Sequence, residues 1–171
     1  MPIVPLESLP DSSRVWVFGS DRPIAGEAAQ RLLAEVDKFL DGWRAHGEPL
    51  RCGRLLTDSR FLVIAVDQST TNASGCSIDG LFRVLQQLET AIGARLVGGG
   101  RVYYRDHGGV AQSVSRGELE GLVARGEVGA NTAVFDTTIT DLGEWRAKFE
   151  RPARKTWVGD LTKGRRATDA G

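Results

Sequence analysis

The sequence predicts an α+β fold: a ferredoxin-like β-α-β-β-α-β core followed by a C-terminal β-α-β-α extension. Three observations carry this. Phe61-Leu62-Val63-Ile64-Ala65-Val66 is apolar at every position, as expected of a strand covered on both faces. Two segments of helical period, 25–43 and 78–92, stand on either side of it. Strand-like runs precede the first helix and follow the second, which completes the alternation.

Each element has a local reason. Arg14-Val15-Trp16-Val17-Phe18 is rich in β-branched and aromatic residues and reads as the first strand. Gly19-Ser20-Asp21-Arg22-Pro23 supplies a turn, a capping residue and a proline suited to a helix start. Ala25, Ala28, Leu32, Leu33, Val36, Leu40 and Trp43 then share one helical face, closed by His46-Gly47. Leu50–Leu56 and Phe61–Val66 flank Thr57-Asp58-Ser59-Arg60, a hairpin turn. Ile78, Leu81, Phe82, Leu85, Leu88 and Ile92 form the second amphipathic face, ended by Gly93. Arg101-Val102-Tyr103-Tyr104 is the expected fourth strand.

In the extension, Asp106-His107-Gly108-Gly109 reads as a hairpin tip. Ser115-Arg116-Gly117-Glu118 is a capping box before Leu119, Leu122 and Val123. Thr132–Phe135 is strand-like, and Asp141-Leu142-Gly143-Glu144 opens a helix that Pro152 stops. No linker interrupts residues 1–158, so one domain is expected, with 159–171 as a flexible basic tail that carries Lys163-Gly164-Arg165-Arg166.

Composition narrows the function classes. Of 171 residues, 22 are Lys or Arg and 22 Asp or Glu, and this zero balance argues against nucleic acid or an anionic membrane as the main partner. The N-terminus lacks the basic and apolar regions of a secretory signal, and Phe61–Val66 is too short to span a membrane, so a cytoplasmic protein is expected. His46, Cys52, Cys76 and His107 show no zinc-like spacing, so neither a metal nor another cofactor is expected.

The unusual segment joins the apolar strand to the second helix: Asp67-Gln68-Ser69-Thr70-Thr71-Asn72-Ala73-Ser74-Gly75-Cys76-Ser77-Ile78-Asp79. It is small and polar, and it enters a helix N-terminus, where unpaired N–H groups and the helix dipole favour anions. Gln68, Ser69, Ser74, Gly75, Ser77 and Asp79 are therefore candidate binding residues for a small anion such as phosphate or carboxylate. The plainer reading is a capping loop in which Ser74 or Ser77 bonds the helix backbone and Asp79 occupies the first turn. Cys76, a thiol at a helix start, is a candidate nucleophile, and Asp67 a candidate general base. Gly98-Gly99-Gly100 lacks the lysine of a phosphate-binding Walker loop and reads as a turn.

The segments Ser13–Val17, Trp43–Gly47, Arg60–Ser69, Ser74–Asp79 and Asn131–Phe135 resemble a family of small uncharacterised bacterial proteins with a Val-Asp-Gln-Ser…Ser-Gly-Cys-Ser-Ile-Asp motif. Members of that family are sometimes labelled "ABC transporter ATPase". The chain has neither a Walker lysine nor the Leu-Ser-Gly-Gly-Gln signature that such an activity needs. The resemblance points to the same 67–79 segment. Two functions follow: a non-catalytic module that binds a small anion or a protein through this segment, or a small enzyme using Cys76 or Asp67 on an anionic substrate. An open edge of a ferredoxin-like sheet would also allow a homodimer.

Overall fold

The computed structural model describes residues 3–45, 47–69 and 75–169. Among them are two antiparallel sheets of three and four strands, a two-stranded ladder and five α-helices, an α+β protein as the sequence predicts. The chain divides into two compact units, Met1–Gly98 with Thr137–Ala147, and Gly99–Asp136 with Lys148–Gly171. The crossing points carry no Pro- or Ser-rich signal, and only Gly98-Gly99-Gly100 marks the first of them.

The larger unit begins with a 3₁₀ turn at Leu6–Ser8, strand β1 (Arg14–Gly19) and helix α1 (Gly26–Asp41). The two-residue strands β2 (Arg44–Ala45) and β3 (Glu48–Pro49) pair with each other. Strands β4 (Cys52–Thr57) and β5 (Phe61–Val66) follow, then α2 (Gly75–Ile92). Sheet order is β1-β5-β4, with β5 central and all six of its residues buried. Its side chains alternate. Leu62, Ile64 and Val66 pack beneath Leu32, Val36 and Leu40 of α1 and Leu81, Leu85 and Leu88 of α2. Val63 and Ala65 face Leu6, Leu9 and Leu142 on the opposite side. Burial on both faces is why this strand needs no polar residue.

The β4–β5 turn carries positive φ at Asp58 and Ser59, small polar residues that tolerate it, and Arg60 N–H donates to the Thr57 carbonyl at 3.1 Å. Helix α2 ends as expected at Gly93, whose φ of 69° is the left-handed cap that glycine accepts at little cost.

Helix α1 differs from expectation at both ends. Asp21 does not cap it; its carboxylate accepts the Arg95 N–H at 2.7 Å, and the helix opens beyond, with Ala25 as an N-cap that offers no side-chain bond. It stops at Asp41, before Gly42, and the Trp43 carbonyl accepts from Leu50 N–H instead. Trp43 keeps the helical spacing because it packs on the same core, without being helical itself.

The expected fourth strand does not join this sheet. The outer edge of β1 is taken by residues 140–142: Val15 N–H donates to the Thr140 carbonyl and Leu142 N–H to the Ser13 carbonyl, both at 2.9 Å. Strand β6 (Val102–Arg105) pairs instead with β7 (Ala111–Val114) and β8 (Ala133–Phe135) in the smaller unit, in the order β7-β6-β8-β9, where β9 is Glu150–Pro152. Helix α3 (Arg116–Ala124) covers that sheet with Leu119, Leu122 and Val123, and the Ser115 hydroxyl caps it by accepting Glu118 N–H. Helix α4 (Leu142–Lys148) begins with Glu144 N–H on the Asp141 carboxylate at 2.8 Å. Both capping signals are real.

The segment expected to be a tail opens as helix α5 (Val158–Asp169). Thr156 Oγ1 accepts Val158 N–H at 3.2 Å, and Val158 and Thr162 are buried. The buried first turn fixes it; Trp157, Val158 and Leu161 were the apolar cue.

Candidate functional site

Strand β5 delivers the candidate segment at one end of the three-stranded sheet. The β4–β5 register pairs Thr57 with Phe61 and Cys52 with Val66, and carried one step further it sets Arg51 opposite Asp67. Asp67 N–H donates to the Arg51 carbonyl at 2.9 Å, which extends the ladder. Arg51 Nη1 lies 3.5 Å from Asp67 Oδ2; the arginine side chain is 49% exposed and the aspartate side chain 11%. The cation thus stands at the surface over a carboxylate that is nearly covered.

Asp67 is bound locally. Its Oδ1 accepts Ser69 N–H at 2.9 Å, the bond of an Asx turn. The Ser69 amide, then the Ser69 hydroxyl, and with them Arg51, hold the Asp67 carboxyl below the usual carboxylate range, against the opposing effect of burial. A carboxylate so stabilised is a poor proton acceptor near neutrality. Its geometry suits orienting the chain as it leaves the strand.

Around this end stand the aromatic residues of the core. Trp43 is buried and lies 6.0 Å from the Trp16 ring and 5.5 Å from Phe39, while the Arg14 guanidinium sits 5.3 Å over Trp16. Arg14 shares the register level of Val66 and Cys52. Gly80 of α2 passes so close to Phe39 of α1 that a Cβ there would meet its ring at 3.0 Å, and the ring would have to shift by a few tenths of an ångström to admit it. Trp43 belongs to the core and Trp16, half-buried, packs against it.

The predicted site residues fall into three groups. Asp67, Gln68 and Ser69 are placed at the end of β5, with Gln68 half-buried and Ser69 exposed. Gly75, Cys76 and Ser77 form the first turn of α2 in their backbone, while Ser74 lies outside the described residues, as does His46. Asp79 is exposed on the second turn of α2, not the first, because the helix begins at Gly75. Arg51 was missed, although the hairpin turn fixes the register that puts it beside Asp67.

Other groups with chemical potential stand outside this segment. Burial, then the charges of Asp37 and Asp41, push the Cys52 thiol up to about 12, so it is not a thiolate at neutral pH. Asp37 is itself paired through both oxygens with Arg54 at 2.8 Å. His107 is exposed at the β6–β7 hairpin tip of the smaller unit, beside an Asp106 carboxylate that accepts Gly108 N–H, Val110 N–H and Gln112 Nε2, each at 2.9 Å. Among the described residues no group of three or more His, Cys, Asp or Glu is placed to hold a metal ion, and no helix is long and apolar enough to cross a membrane. No protein-family model, curated protein or solved structure matches the chain.

Proposed function

We propose that the chain is a non-catalytic binding module that takes a small anion at the 67–79 segment, where β5 gives way to α2. The observation that supports this most is the Arg51–Asp67 pair: a half-exposed guanidinium held by the strand register next to the turn that leads into an 18-residue helix. A helix start favours negative charge, and in this reading Arg51, beside Asp67, adds a directional donor fork for phosphate or carboxylate oxygens. Gln68 and Ser69 border the same place, with Ser74, Gly75, Ser77 and Asp79 as the remaining candidate contacts. The low carboxyl of Asp67 favours binding over general-base catalysis.

In this reading, the larger unit is a ferredoxin-like sheet whose fourth strand position is filled by residues 140–142. The resemblance to the small bacterial family with the Val-Asp-Gln-Ser motif, and a cytoplasmic location, belong to the same proposal. The test is calorimetric titration with inorganic phosphate. A binding module keeps its heat of binding when Cys76→Ser is introduced and loses it with Gly75→Val. Absence of any phosphate heat in the wild-type chain would overturn the anion reading.

A further inference from the structure

We draw no further inference here: the strongest candidate, the outer edge of strand β7 beside the groove over Gly117 and Gly121 of α3, already has its Ser113 carbonyl held by Arg101 at 2.9 Å, and nothing in the structure shows what would cover it.

Discussion

Two aspartates at strand ends, Asp67 in the larger unit and Asp106 in the smaller, begin with the same chemistry and finish differently. Each follows the last residue of a strand, each accepts the N–H two residues on at 2.9 Å, and each carboxyl is held below its usual range. For Asp106 the first cause is the Gln112 side chain, followed by the Val110 and Gly108 amides. All these partners lie within six residues, so the turn closes on itself and returns as β7. Asp67 has a distant partner, Arg51, sixteen residues away and half exposed, and its chain continues to a helix.

The Asx turn is common to both and so does not by itself distinguish the end of β5. What separates the two is what the carboxylate leaves over. Asp106 uses up its own neighbourhood. Asp67 is satisfied by Ser69 in the first place, and Arg51 stands at a long 3.5 Å from it with a side chain 49% exposed.

The largest test removes the support beneath each turn. Leu85 of α2 and Leu119 of α3 are fully buried, and each change to alanine is expected to cost about 2–5 kcal/mol in urea unfolding. Hydrogen exchange should then rise around α2 for Leu85→Ala and around α3 for Leu119→Ala; equal loosening in both variants would erase the distinction between two cores. Next comes Asp67→Ala, expected to lose about 1.5–3 kcal/mol because a covered carboxylate and its hydrogen bonds disappear. Asp106→Ala should lower Tm as well, but without any effect on phosphate binding. Arg51→Ala should leave Tm nearly unchanged and weaken phosphate binding about tenfold, the scale of one charge-assisted bond.

Acid pH acts on both turns with one sign. Because the folded carboxyls lie below their unfolded value of about 3.9, the unfolded chain binds protons first, and their stabilisation is complete above that value. It is lost as pH falls through the lower folded values. Asp67→Asn and Asp106→Asn should each flatten the acid limb of a plot of stability against pH. The smallest expected signal is chemical: native protein treated with iodoacetamide at pH 8 should leave Cys52 unmodified, and only unfolding should expose it.

Much of this was legible where the cause is local. Phe61–Val66 is a strand over the predicted residues because six apolar β-formers admit only a doubly covered position. Ser115, Asp141 and Gly93 cap the helices they were expected to cap, since a hydroxyl, a carboxylate and a positive φ act within four residues. What failed was non-local. Val102–Arg105 has every property of a strand, but it pairs with β7 and β8, while the edge of β1 is bonded by residues 140–142, which lie far along the chain. Helix α5 carries Lys163, Arg165 and Arg166 among twelve residues, and among its buried residues are Val158, which joins the smaller core, and Thr162. The site was half legible: the segment was visible in its composition, whereas Arg51 needed the hairpin register to be followed one residue beyond the strand.

The proposal turns on the half-exposed Arg51 guanidinium beside Asp67, which has no counterpart among the turn partners of Asp106 described above, as the group that would draw an anion to the end of β5. Backbone amide shifts followed during titration with inorganic phosphate test it directly. The account predicts shifts at Gln68, Ser69 and residues 75–79, reduced by Arg51→Ala, with residues 106–112 unmoved. Shifts confined to the β6–β7 tip, or none at either turn, would contradict it.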